Sequence, residues 1–222
     1  MNPPVDLTSN DIFIFDLDGT LVQSVEFDDV LYQEAVSEVV GTRNFDTDWE
    51  SYRHVTDSGL LTELLARLGL EANLRVISEV RTLFTSKIRS HLESGGECQA
   101  VPGAIDAIGT LRQAGVPYGV ATGGWGSTAR LKLKFAGFDV PRFISSGDDS
   151  SSRTGIMRHC LRQIGGKGEQ AVYFGDAVWD VKATQELGWR FVGIGDRVRP
   201  LAEVTLDDFK DSTWMDSVVA KH

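Results

Sequence analysis

The chain has 222 residues and a formal net charge of −10 at pH 7. Proteins hold nucleic-acid phosphates with clustered Lys and Arg, so this acidity argues against nucleic acid as a partner. No apolar run approaches the roughly 20 residues needed to cross a bilayer, which argues against a membrane partner.

Apolar runs, loops and helical periods alternate along most of the chain, which is the pattern of a parallel sheet flanked by helices. The predicted buried strands are 12–15, 118–121, 143–145, 171–174 and 191–194. The predicted crossover helices are 103–114, 127–135, 156–164 and 178–187. The sequence therefore predicts an α/β protein whose core is a parallel sheet with helices on both faces.

The segment from about residue 25 to residue 97 breaks this alternation. It contains helical patterns at 27–40, 59–70 and 74–92 and ends in ESGGE, with no convincing strand. We therefore predict an all-helical cap at residues 24–97, inserted into a core formed by residues 1–23 and 98–222. The final stretch, DFKDSTWMDSVVAKH, is weakly patterned and is expected to be a short closing element.

Polar side chains follow several of the predicted strands. Asp16 and Asp18 follow the first strand, Thr122 follows the second, and Asp176 and Asp180 follow the fourth. Because ligands of open α/β sheets bind beyond the carboxyl ends of the strands, these side chains should converge. Four neighbouring carboxylates require a cation, and Mg²⁺ prefers such oxygen ligands. Helix capping, the alternative explanation, does not account for acids after both strands.

This set of residues resembles the haloacid dehalogenase-like superfamily. The first motif of that family, DxDGT, appears here at residues 16–20, and its hydroxyl motif matches Thr122 in ATGG. Its acidic motif, GDxxxD, matches GDAVWD with Asp176 and Asp180, and the match extends over residues 12 to about 194. The resemblance implies a Rossmann-like core and a helical cap after the first motif, as in the phosphoglycolate phosphatase and β-phosphoglucomutase branch.

The resemblance also implies a reaction and assigns roles to the acids. It implies a Mg²⁺-dependent phosphatase that hydrolyses a small phosphomonoester through an aspartyl-phosphate. Asp16 would be the nucleophile, and Asp18 would act first as general acid and then as general base. The implied metal ligands are the Asp16 and Asp176 carboxylates and the Asp18 backbone carbonyl, with Asp180 supporting Asp176 or a bound water.

The phosphate-binding residues follow from the same resemblance, with one departure from the family pattern. Thr122 and the Gly123 amide are expected to hold one phosphoryl oxygen. The third motif usually carries a Lys, whereas this chain offers Arg153 in SSSRTG. Because Arg can chelate two phosphate oxygens, we assign this role to Arg153, with Arg158 as the alternative. Lys167 precedes the fourth strand and should lie at the opposite end of the sheet.

A loop of the cap is expected to face the site, because in related enzymes such a loop selects the substrate. The stretch YRHVTDSGLL is similar to that loop, so Arg53, His54 and Thr56 are candidate substrate contacts. The alternative is that these residues are exposed on a turn. Trp125 and Trp179 lie beside the second and fourth motifs, where they either stack on a planar substrate or pack the cap against the core.

Two other functions use similar residues. A phosphosugar mutase of the same fold would return the phosphoryl group to its substrate, and a non-catalytic phospho-accepting or binding domain would stop before turnover. The expected partner is a small phosphorylated metabolite, and the expected state is a monomer. The opening residues, MNPPVDLTSND, lack the basic start and apolar stretch of a secretory signal, which predicts a cytoplasmic location.

Overall fold

Eight strands and seven α-helices make up the part of the chain that a computed structural model describes, residues 7–8 and 10–216. The strands are β1 (Ile12–Phe15), β2 (Val22–Gln23), β3 (Gln99–Ala100), β4 (Tyr118–Ala121), β5 (Ile144–Ser145), β6 (Ala171–Gly175), β7 (Arg190–Ile194) and β8 (Val204–Leu206). The helices are α1 (Val25–Val40), α2 (Asp57–Arg67), α3 (Leu74–Glu93), α4 (Ala104–Gln113), α5 (Gly126–Phe135), α6 (Arg153–Ile164) and α7 (Val178–Leu187). The ends of the predicted core, residues 1–6, 9 and 217–222, lie outside the described residues.

A six-stranded parallel sheet with the order β5-β4-β1-β6-β7-β8 forms the core. The central strand β1 is apolar on both sides, because each of its faces is covered. Phe13 and Phe15 pack in the apolar cluster that includes α4 and α5, whereas Ile12 and Ile14 pack in the cluster with α6 and α7. The predicted α/β fold class, a Rossmann-like sheet with helices on both faces, is therefore confirmed.

Between β2 and β3 the chain forms α1, a short 3-10 helix (Trp49–Ser51), α2 and α3, which we call the helical segment (residues 25–93). The strands β2 and β3 pair antiparallel, with Val22 opposite Ala100, so the segment leaves and rejoins the sheet core at one place. The division into a core and a cap at residues 24–97 stays a prediction. No helix among the described residues has both the length and the apolar character needed to cross a bilayer.

The helical segment packs against the core through aromatic side chains. Trp125, at the start of α5, is 1% exposed, and its ring lies 6.1 Å from that of Tyr32 and 6.0 Å from that of Phe84. Of the two roles considered for this tryptophan, packing is therefore the correct one. The contact fixes the helical segment above the carboxyl ends of the strands.

Candidate active site

A cavity of about 400 Å³ lies between the helical segment and the carboxyl edge of the sheet. Asp16 follows β1, Thr122 follows β4 and Asp176 follows β6, so the parallel topology brings them to this edge. From the core the cavity is lined by Asp16, Asp18, Thr122, Gly123, Gly124, Arg153, Asp176, Trp179 and Arg197. From the helical segment it is lined by Val25, Glu26, Asp28, Asp29, Tyr32, Val55, Thr56, Asp57 and Leu60, together with Trp49 of the short 3-10 helix.

Asp16 lies in this cavity beside the partly buried guanidinium of Arg153. Its side chain is 4% exposed, and Arg153 Nη1 donates a hydrogen bond of 2.9 Å to its Oδ1. Arg153 Nη1 also lies 3.3 Å from Asp180 Oδ1. Burial raises the pKa of Asp16 to about 7, which Arg153 opposes and the neighbouring Asp180 and Asp18 reinforce. The structure therefore brings the predicted third-motif cation to the predicted nucleophile.

Three carboxylates form a cluster suited to a metal ion. Oxygens of Asp16, Asp176 and Asp180 all lie within 4.8 Å of one another. Burial raises the pKa of Asp176 to about 7 and that of Asp180 to about 6. The neighbouring arginines therefore do not fully offset the cost of burying these two carboxylates. Among the described residues, the buried Asp180 Oδ1 has an ion-pair contact with Arg153 but no hydrogen-bond partner. This set of hard oxygen donors fits Mg²⁺.

The turn after β1 brings backbone against this cluster. Gly19 has a φ of +84°, and a Cβ at this position would lie 2.3 Å from Asp176 Oδ2. The DxDGT motif therefore requires glycine here both for its conformation and for its lack of a side chain. The Asp18 carboxylate is not a member of the cluster, and metal ligation by the Asp18 carbonyl stays a prediction.

Asp18 contacts a second buried cation, Lys132, which the sequence analysis did not find. Lys132 Nζ lies 2.5 Å from Asp18 Oδ1 and 2.8 Å from Asp28 Oδ1, and the lysine side chain is fully buried. Ser24 Oγ donates a hydrogen bond to the same Asp18 oxygen. Burial alone would lower the pKa of Lys132, but the two carboxylates raise it above its usual value, so the ammonium stays charged.

The loop after β4 supplies the predicted phosphate-binding groups. Thr122 Oγ1 accepts a hydrogen bond of 3.1 Å from the Gly124 amide, which leaves its own proton available to donate. A Cβ on Gly123 would lie 3.2 Å from Arg153 Nη2, so this glycine adjoins the guanidinium. The Asp57 amide donates a hydrogen bond of 2.9 Å to the Gly123 carbonyl, which ties the loop to the helical segment.

The three predicted substrate contacts of the helical segment lie in different places. Thr56 lines the cavity, but its Oγ1 accepts from the Gly59 amide at 3.0 Å and donates to the Ser151 carbonyl at 2.8 Å. Arg53 and His54 instead line a neighbouring cavity of about 540 Å³. Substrate contact by any of the three stays a prediction.

Other basic residues differ in their distance from the site. Arg158 is exposed on α6, and Lys167 is exposed before β6, at the far end of that strand. Arg197, which the sequence analysis missed, follows β7; its Nη1 lies 3.3 Å from Asp176 Oδ2, and its guanidinium lies 5.6 Å from the Trp179 ring centre. Its position after a strand of the same sheet was the signal that would have identified it.

Most of the chain matches a known protein family. Residues 11–188 match the family described as haloacid dehalogenase-like hydrolase. The chain therefore belongs to this family and is a hydrolase, as its motifs predicted.

The chain is also similar to individual proteins of this kind. The chain is 25% identical over 209 residues to a phosphoglycolate phosphatase of Agrobacterium fabrum, covering 88% of each chain. Its fold is similar to that of β-phosphoglucomutase from Clostridium difficile, with a TM-score of 0.72, 16% identity and coverage of 95% and 97% of the two chains. It is also similar to CbbY from Rhodobacter sphaeroides, solved in complex with phosphate, with a TM-score of 0.68, 22% identity and coverage of 91% and 96%.

Proposed function

We propose that the protein is a Mg²⁺-dependent phosphatase that hydrolyses a small phosphomonoester through an aspartyl-phosphate on Asp16. One observation carries the proposal: the buried Asp16 carboxylate is held by Arg153 and clusters with Asp176 and Asp180 at the cavity beneath the helical segment. The similarity to a phosphoglycolate phosphatase supports a phosphomonoester as substrate.

Two steps transfer the phosphoryl group in this proposal. An Asp16 oxygen attacks phosphorus while the bond to the leaving oxygen breaks, and Asp18 gives that oxygen a proton. Asp18 then takes a proton from the water that attacks the aspartyl-phosphate, which releases inorganic phosphate and restores Asp16. Two carboxylates in different surroundings thus perform the covalent step and the proton transfers.

The remaining groups bind the charge of the phosphoryl oxygens. Arg153 chelates two oxygens, and Thr122 with the Gly123 amide holds another. The Asp16 and Asp176 carboxylates and the Asp18 carbonyl would hold Mg²⁺, with Asp180 alongside. The ion, when bound, supplies positive charge to the transferring group.

The cavity size supports a small substrate. At about 400 Å³, it lies near the lower end of the range for small-molecule sites. Because the helical segment covers the site, it would exclude bulk water during transfer, as a cap does. A small phosphorylated metabolite, a monomeric state and a cytoplasmic location complete the proposal.

A screen of phosphorylated metabolites that measures released phosphate tests this function. We expect the wild type to release phosphate from at least one small ester. The Asp16→Asn variant should retain its circular dichroism spectrum and lose turnover, whereas Asp106→Asn, on an exposed face of α4, should match the wild type. Wild-type turnover by Asp16→Asn would refute the nucleophile. A phosphorylated product without free phosphate would identify a mutase, and no reaction with any ester would favour a non-catalytic phosphate-binding protein.

A further inference from the structure

Lys132 is a charged group inside an otherwise apolar helix face. Its neighbours on the buried side of α5, Ala129 and Leu133, pack in the core. A buried ammonium loses its hydration, and replacing a buried ion pair by apolar side chains is often neutral or stabilising. Packing of α5 therefore does not by itself require a lysine at this position.

The contacts of this lysine point to one oxygen of Asp18. Lys132 Nζ and Ser24 Oγ both donate to Oδ1, and the Asp28 carboxylate of α1 holds the same ammonium at 2.8 Å. Asp18 Oδ2 faces the loop after β4, because a Cβ built on Gly124 would lie 3.8 Å from it. One oxygen of Asp18 is thus fixed by two donors, and the other faces the predicted phosphate-binding loop.

We propose that Lys132 is a positioning residue for Asp18, which it orients for proton transfer to the leaving oxygen. This inference rests on the proposed phosphatase reaction. With Oδ1 held by Lys132 and Ser24, Asp18 Oδ2 carries the proton that the leaving oxygen receives as its bond to phosphorus breaks. Because Asp28 belongs to the helical segment, that segment supplies part of the geometry that orients Asp18.

Substrates with different leaving groups distinguish a misplaced general acid from a general loss of active-site structure. A good leaving group such as p-nitrophenolate needs little protonation, whereas phenolate and alkoxides need more. We expect Lys132→Met to lower kcat/KM for phenyl phosphate by about 100-fold or more and that for p-nitrophenyl phosphate by less than about 10-fold. The wild type should show a much smaller difference between the two esters.

A matched variant and a charge-compensated variant serve as controls. Lys134→Met removes an exposed lysine from the same helix and should leave both rates unchanged. If Lys132→Met does not fold, the double variant Lys132→Met/Asp28→Asn removes one charge of each sign, so the net charge of the cluster is unchanged and only Asp18 loses its ammonium partner. This variant should show the same selective loss with phenyl phosphate.

The outcomes distinguish this inference from the proposed function. Equal losses for both esters, or wild-type rates, in the folded Lys132 variants would overturn the positioning role. If the wild type releases phosphate from neither aryl ester nor from any metabolite, the phosphatase proposal itself fails. A selective loss with phenyl phosphate in the lysine variants supports both.

Discussion

Substitution of Gly19 by alanine tests whether the turn of DxDGT shapes the metal site. An alanine Cβ would lie 2.3 Å from Asp176 Oδ2, whereas real Cβ contacts below 3.0 Å are essentially not found. The Asp176 carboxylate would therefore have to move by about 0.7 Å, the difference between these distances. Because Mg²⁺ demands near-ideal octahedral geometry, a shift of this size should weaken metal binding.

The positive φ of Gly19 adds a separate free-energy cost to the alanine substitution, and this cost can be measured alone at a second glycine. Gly41, which ends α1, has a φ of +81°, and a Cβ there would meet no atom within 4 Å. Alanine in this left-handed conformation costs about 1–2 kcal/mol at either position. Gly41→Ala therefore reproduces the backbone strain of Gly19→Ala without the collision with Asp176.

Urea unfolding, Mg²⁺ titration calorimetry and phosphate release distinguish the two effects. We expect both variants to lose about 1–2 kcal/mol of unfolding free energy from backbone strain. Gly19→Ala alone should bind Mg²⁺ more weakly and lose about 100-fold in kcat/KM, as misplacement of catalytic groups by about 1 Å does. Equal Mg²⁺ affinity and activity in the two variants would refute the proposed role of this turn.

Three further changes test other parts of the structure. Trp125→Ala should lower the unfolding free energy by about 3–5 kcal/mol in urea, because it opens a void between the helical segment and the core; a loss below about 1 kcal/mol would contradict the packing described here. Arg153→Lys should keep the charge but lose bidentate binding, so inhibition by inorganic phosphate should weaken by about 10-fold; unchanged inhibition would argue against chelation. EDTA should abolish phosphate release and added Mg²⁺ should restore it, whereas full activity in chelator would contradict a required metal.

The sequence predicts the sheet core well because its strands are buried on both faces. Continuous apolar runs such as 12–15 and 171–174 have few alternative structures in an alternating α/β pattern. The strands β2, β3 and β8 were not predicted, because they have two or three residues each and none is a continuous apolar run. Pairing between β2 and β3 also joins residues distant in sequence, which local patterns do not reveal.

Side chains at strand ends were predictable, whereas contacts made from helices were not. Asp16, Thr122 and Asp176 follow strands directly, so topology alone brings them together. Asp28 and Asp57 project from the helical segment, and their position depends on how that segment docks on the core. Burial raises the pKa of Asp57 well above its usual value, while its carboxylate accepts the Trp125 amide at 2.8 Å. Sequence patterns do not specify such docking contacts.

Lys132 did carry a signal in the sequence. It lies three residues after Ala129 and four before Ala136, on the face of α5 that its apolar neighbours identify as buried. A lysine at a core-facing helical position needs a carboxylate partner, because an unpaired buried ammonium is strongly unfavourable. The family pattern predicts a cation only in the third motif, so it does not point to this helix.

Two cations divide the acids of the site into two groups, which explains how adjacent aspartates can have different roles. Arg153 faces Asp16 and Asp180, whereas Lys132 faces Asp18 and the acid from α1. Each group retains an excess of negative charge, but the carboxylate oxygens of the first, together with Asp176, lie within 4.8 Å of one another and fit a metal ion. In the second group the ammonium lies between the two carboxylates. Asp18 thus binds Lys132 and is not a member of the metal cluster, even though it lies two residues from Asp16. The spacing of DxD places both acids at one strand end, and the two distant helices that supply the cations give each acid its own environment.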